Sequence, residues 1–132
     1  GKADVMIGTQ MIAKGLHFPE VTLVGVLNSD SSLNIPDFRS SETVFQLITQ
    51  VAGRSGRGVV PGEVIIQTAM PDNGTIAYAA NQDYPGFYKE EMGVRELFNY
   101  PPFCHMAKFL LTGQNARQTQ EAAEKFRQDL IK

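Results

Sequence analysis

Gln50-Val51-Ala52-Gly53-Arg54-Ser55-Gly56-Arg57 sets two arginines three positions apart in a glycine-punctuated turn. A guanidinium is a planar fork of fixed donors, so a pair of them suits bidentate contacts to phosphate oxygens. Such a pair needs a rigid base, and the residues before it supply one. Val44, Leu47, Ile48 and Val51 follow the i, i+3, i+4, i+7 pattern of a helix with one buried face. Gly53 and Gly56 free the backbone from side-chain clashes as the chain leaves that helix. Taken alone, the octamer also fits a flexible basic loop, an RNA-binding arginine–glycine patch, or a helix C-cap with solvated arginines.

A second stretch with chemical potential lies upstream, in Gly8 to Pro19. It is flanked by two apolar runs, Val5-Met6-Ile7 and Val21 to Leu27, whose near-continuity suits strands covered on both faces of a parallel sheet. A loop at the carboxyl end of such a strand is where open α/β sheets place ligands. Thr9 offers a hydroxyl and a backbone N–H to a phosphate oxygen, or a cap to the short helix expected after it. Gly15 permits close approach or a positive φ angle. Lys14 reads equally well as a solvated surface lysine. His17, beside Phe18 and Pro19, reads as a packed loop residue, because no second histidine or carboxylate is spaced to activate it. His105 falls in a strand-like run and reads as structural or surface.

The spacing Q-x-x-G-R-x-G-R resembles motif VI of superfamily 2 helicases, and Gly8 to Pro19 resembles their motif V. The wording Gly-Thr-Gln-Met-Ile-Ala-Lys-Gly-x-His-Phe-Pro is similar to the form found in the PriA (primosomal protein N′) family of replication-restart DNA helicases. Pro36-Asp37-Phe38-Arg39-Ser40, Gly62 to Thr68 and Tyr100-Pro101-Pro102-Phe103 are in the same family's style, so the resemblance runs from about Asp4 to Phe109. It implies an ATP-dependent 3′-to-5′ DNA helicase acting in replication restart and primosome assembly. Arg57 is then the main arginine finger toward ATP, with Arg54 and Gln50 beside it. Gly15, Gly53 and His17 lie near the nucleotide, although position 17 departs from the superfamily's usual acidic residue. Thr9, Gln10 and Lys14 lie along the DNA backbone. The resemblance further implies ATP and Mg²⁺ in the intact protein, single-stranded or forked DNA, primosome proteins and single-stranded-DNA-binding protein as partners, and a bacterial cytoplasm with association to the nucleoid. An RNA helicase lobe is disfavoured by Lys14, His17 and the Tyr-Pro-Pro-Phe segment.

The chain has no G-x-x-x-x-G-K-[ST] loop and no acidic Walker B-type strand end for Mg²⁺. A finger without a phosphate cradle hydrolyses nothing efficiently, so the chain alone is expected to be inactive and to be a carboxyl-terminal piece of a larger enzyme. The family carries a cysteine-rich zinc module ahead of motif V, but Cys104 is the single cysteine here, so a Cys₄ zinc site within this chain is excluded. One cysteine suits a reducing compartment. No apolar run approaches the ~18–20 residues of a membrane span. A formal net charge of −2 leaves no overall electrostatic footprint for nucleic acid, so DNA contact would have to be local.

The remaining elements read as scaffold. Asn28 to Ser40 is a loop leading to the motif VI helix, whose first turn carries Glu42; Glu63 to Thr68 is a strand; Ile76 to Gln82 and Pro85 to Phe98 are helices. The consecutive prolines of Tyr100 to Phe103 end the last of these. Cys104 to Thr112 reads as a strand, and Asn115 caps a helix with Thr119, Ala122, Ala123, Phe126 and Leu130 on one stripe. The expected fold is α/β: part of a RecA-like helicase lobe 2, a parallel sheet with flanking helices, then the start of a small α+β domain. The expected division is 1–71 for the lobe, 72–103 for a helical connector and 104–132 for the opening of the next domain. A non-catalytic DNA- or protein-interaction module with a helicase-like fold is the alternative.

Overall fold

The runs Val21 to Leu27 and Glu63 to Thr68 each contain one strand of a parallel pair, shorter than the run itself. A computed structural model of the protein describes residues 4–9, 21–53 and 62–131. Strand β1 (Leu23–Val26) pairs with β2 (Glu63–Ile66) in the register Leu23↔Glu63, Val24↔Val64, Gly25↔Ile65 and Val26↔Ile66. Parallel strands need a crossover, and here it contains helix α1 (Asp30–Leu33) and helix α2 (Ser40–Ala52). Helices α3 (Gly74–Ala80), α4 (Tyr84–Leu97) and α5 (Ala116–Leu130) follow. The architecture is mixed α/β, a small parallel sheet with flanking helices, consistent with part of a helicase lobe.

The core lies between α2, α3 and α4. Val44, Phe45 and Ile48 of α2 are buried with Ile76 and Ala79 of α3 and Phe87 of α4, and Leu33, Ile66 and Tyr78 close the edges. Phe45 stacks on Phe87 with ring centroids 4.2 Å apart and planes 11° from parallel. Such a pair contributes ~0.5–1.5 kcal/mol beyond its area. Asn73 caps α3 by accepting from the Thr75 N–H at 3.0 Å, and Asp83 caps α4 by accepting from the Gly86 N–H at 3.0 Å. These caps start both helices earlier than the apolar pattern alone indicates. Gln82 and Asn99, at φ 53° and 52°, turn the chain after each helix.

Four expectations are corrected. Among the described residues the sheet is covered on one face: Val24, Val26, Val64 and Ile66 turn inward, while Leu23 is 57% and Ile65 54% exposed. Val5-Met6-Ile7 forms no strand and is exposed, Ile7 by 89%. Cys104 to Thr112 forms no strand either, because no neighbouring strand among the described residues offers it a ladder. The loop from Asn28 to Ser40 contains α1. In α5 the Asn115 cap is present, accepting from the Gln118 N–H at 3.2 Å. Its apolar stripe stays largely open, with Thr119 and Ala123 half-buried and Phe126 edge-on to Phe109 at 5.0 Å.

Candidate functional site

Helix α2 is the element that directly precedes the two arginines in the chain. Gln50 sits half-buried in its last turn and Gly53 is its C-cap. The Gly53 N–H donates to the Thr49 carbonyl at 3.0 Å, and its φ of −68° is ordinary right-handed backbone. A Cβ there would meet the Thr49 and Gln50 carbonyl oxygens at 3.4 and 3.7 Å. The expectation that Gly53 supplies special backbone freedom is therefore not met; it caps the helix in ordinary right-handed backbone. Thr9 is exposed and belongs to no helix or strand. Arg54, Arg57, Gln10, Lys14, Gly15 and His17 lie outside the described residues, as does Gly56.

At the carboxyl ends of the strands the backbone is cross-braced. Asn28, at φ 52°, turns the chain out of β1. Ser29, buried, donates both its N–H (3.3 Å) and its hydroxyl (3.0 Å) to the Gln67 carbonyl. The Asp30 carboxylate accepts from the Ala69 N–H at 2.7 Å and from the Thr68 hydroxyl, whose oxygen in turn accepts from the Met70 N–H at 2.9 Å. The Ala69 N–H, then the Thr68 hydroxyl, hold Asp30 below the usual carboxylate range against a smaller opposing effect of desolvation. This brace fixes the sheet end where α/β proteins bind ligands. The sequence signal for it was the Ser-Asp pair directly after a strand.

Arg95 of α4, which sequence reasoning passed over, joins several elements among the described residues. Its Nε donates to Glu91 at 2.8 Å, its Nη2 to Glu42 in the first turn of α2 at 2.8 Å, and its Nη1 to the Pro101 carbonyl at 3.4 Å. Its Cζ stands 5.1 Å from the centroid of the Phe38 ring. Burial opposes its charge, but the hydrogen bonds and charges of Glu42 and Glu91 outweigh that and keep the guanidinium protonated. Beside this node Ser41, Asn73, Thr75, Glu90 and Glu91 line a cleft of about 190 Å³. Glu90 also accepts from the Tyr78 hydroxyl, which raises that phenol's pKa. Two carboxylates make the cleft a poor seat for a nucleotide's phosphates. Among the described residues, no group of three or more His, Cys, Asp or Glu is arranged to hold a metal.

No protein-family model matches the chain. It is 58% identical over 132 residues to the Replication restart protein PriA of Chlamydia muridarum, a match taking in 100% of this chain and 17% of that protein. The corresponding protein of Bacillus subtilis is 51% identical over 125 residues, covering 95% of this chain and 16% of its own length. That of Rickettsia conorii is 42% identical over 120 residues, covering 91% and 18%. The chain belongs to the PriA family. It spans about 17% of the length of the PriA relatives it matches. Two of the segments in PriA style, Pro36 to Ser40 and Tyr100 to Phe103, are far apart in sequence yet meet in space. Phe38 stacks on Tyr100 with centroids 5.5 Å apart and planes 22° from parallel. Among the described residues no helix is long and apolar enough to cross a membrane.

Proposed function

We propose that this chain is the part of a longer replication-restart helicase that completes the ATP site from the second lobe and touches the DNA strand. The observation that carries the reading is similarity to proteins named PriA over nearly the whole chain, beside the sequence Gly53-Arg54-Ser55-Gly56-Arg57 directly after a packed helix. In this reading Arg57, with Arg54, neutralises charge developing on the γ-phosphate, and Gln50 and Gly53 back them. Gly15 and His17 lie near the nucleotide. Thr9, Gln10 and Lys14 follow the DNA backbone. ATP with Mg²⁺ sits between this lobe and a first lobe that carries the phosphate loop, and cleft closure drives 3′-to-5′ movement along single-stranded or forked DNA. Residues 1–71 serve as lobe, 72–103 as a connector packed on α2, and 104–132 as the opening of the next domain. Primosome proteins and single-stranded-DNA-binding protein are the proposed partners, in the bacterial cytoplasm at the nucleoid. The chain alone is inactive.

The test is Arg57→Ala in the full-length protein. DNA-stimulated ATP hydrolysis should fall by about 10³-fold or more, the range lost with an arginine finger. Affinity for single-stranded DNA, read by fluorescence anisotropy, should change less than threefold, roughly 0.6 kcal/mol. Hydrolysis at the wild-type rate would remove the finger assignment.

A further inference from the structure

The chain leaves the helical core through a joint, Phe98 to Phe103, before it reaches residues 104–132. The joint's backbone folds on itself: the N–H groups of Phe98, Asn99 and Tyr100 donate to the carbonyls of Val94, Glu96 and Arg95, and that of Phe103 to Tyr100. Those bonds are local and tie the joint to the last turns of α4. Two side-chain contacts carry it further. The Tyr100 ring stacks on Phe38, in the loop before α2, and the Pro101 carbonyl accepts from Nη1 of Arg95 at 3.4 Å. Arg95 is common to both, since its Cζ stands 5.1 Å from the Phe38 centroid, as does that of Arg39. Its Nε is held at 2.8 Å by Glu91 of the same helix, and its Nη2 reaches Glu42 in the first turn of α2 at 2.8 Å. Lysine could not make these contacts together, because only a guanidinium presents several donors in one fixed plane.

We infer that Arg95, Phe38 and Tyr100 form a clasp that locks this joint to the first turn of α2, and so fixes the direction in which residues 104–132 leave the core. The clasp is independent of any role of Arg54 and Arg57 in ATP hydrolysis. Its two ends differ in exposure. The Arg95 and Glu91 side chains are 12% and 13% exposed, a sheltered end, whereas Glu42 is 38% exposed. An ion pair with one partner in water is weak and breaks readily, so the clasp opens at Glu42. Without Nη2 fixed, the guanidinium plane is no longer held against Phe38, and Phe38 and Tyr100 lose one side of their packing. The joint and the start of α2 are coupled in this way although they come from distant parts of the sequence.

The test is hydrogen exchange read by mass spectrometry on the full-length protein without DNA or nucleotide, comparing peptides that span 96–104 with peptides from α3. Glu42→Ala should raise exchange in the joint about threefold to fivefold, the range of a partly exposed ion pair, while α3 stays within about 1.5-fold. The joint's amides donate to carbonyls of α4 and of the joint itself, so a purely local role of Glu42 in α2 would leave them unmoved. Glu42→Gln keeps an acceptor for Nη2 and should hold the rise below about twofold. Gln46→Ala removes the bond that Glu42 accepts within α2 at 3.0 Å and should leave the joint unchanged. Phe38→Ala should raise joint exchange about threefold to tenfold through loss of the stack. Combined with Glu42→Ala it should fall short of the product of the two effects, since both act on one contact. Chymotrypsin cleavage after Phe98 or Phe103 should rise in the same order, because cleavage follows the population of the open form. Unchanged joint exchange in Glu42→Ala overturns the clasp, even where Phe38→Ala loosens the joint. An equal rise in the joint and in α3 marks bulk destabilisation and also overturns it, as does a strictly multiplicative double variant. Should Phe38→Ala not fold, the Glu42 variants decide.

Discussion

Ile48 sits at 0% exposure in the middle of α2, inside the cluster formed with Val44, Phe45, Ile76, Ala79 and Phe87. Ile48→Ala removes three carbons from that cluster. At ~0.8 kcal/mol for each buried methylene, the transfer loss is about 2.4 kcal/mol. If the surroundings do not collapse, a void of about 80 Å³ adds roughly 2 kcal/mol at ~24 cal/mol per Å³. Collapse would remove that second part, so the cost is bounded between about 2.4 and 4.4 kcal/mol. Amide hydrogen exchange read by mass spectrometry on peptides from 40–52 measures this inside the full-length protein. Opening of α2 should become about 50-fold to about 1,400-fold more populated, since ~1.4 kcal/mol is tenfold. Ile48→Val, which removes one carbon, should raise it only about fivefold. Gln46→Ala, on the exposed face of the same helix, serves as the control. Exchange in Ile48→Ala within threefold of that control would show that this helix is not held by the α2–α3–α4 core.

Asp30 gives a pH prediction. Because its carboxyl is held below the usual range, it contributes stability that is complete above the ordinary carboxylate pKa and is lost as pH falls through its own lower value. The stability gap between wild type and Asp30→Asn should thus be open at neutral pH and close as the acid titration passes below about pH 4; a gap that is constant across an acid-unfolding series contradicts the brace. Two glycines of α4 should respond in opposite directions. A Cβ at Gly86 would meet Asp83 Oδ2 and the Tyr78 ring at 2.6 Å, so Gly86→Ala should cost about 1–3 kcal/mol by displacing the helix cap. Gly93 has nothing within 4 Å of an added Cβ and lies in the helix interior, so Gly93→Ala should stabilise by about 0.5–1 kcal/mol. Equal thermal shifts for the two would count against both assignments.

Helix α2 was legible because Val44, Leu47, Ile48 and Val51 repeat at helical spacing; Val44 and Ile48 are buried, Leu47 and Val51 only half-buried, and the share carried by Phe45 was missed. That residue faces the core because α3 and α4 fold back onto the adjoining flank, a tertiary arrangement with no local signature. The strands were legible from their apolar runs, but those runs misled about coverage. Leu23 and Ile65 are as apolar as their inward neighbours, and alternation that would have signalled a one-sided sheet is absent from the residue types. Of the candidate site, Gln50 and Gly53 were placed correctly on the helix end, while the reason given for Gly53 was not the operative one. Arg95 escaped notice because its partners Glu42 and Pro101 come from separate elements, and only Glu91 stands at a spacing that a sequence pattern reveals.

That oversight bears on how α2 is held. The apolar side chains of α2 pack it against the two following helices, and the oriented Phe45–Phe87 stack belongs to that packing. Hydrogen bonds with narrow angular preference add to this, and charge-assisted bonds are the strongest of these. One such bond reaches Glu42, in the first turn of α2, from Arg95, which also meets Phe38 and the Pro101 carbonyl, and Phe38 in turn stacks on Tyr100. The segments in PriA style that looked separate in the sequence are thus parts of one contact.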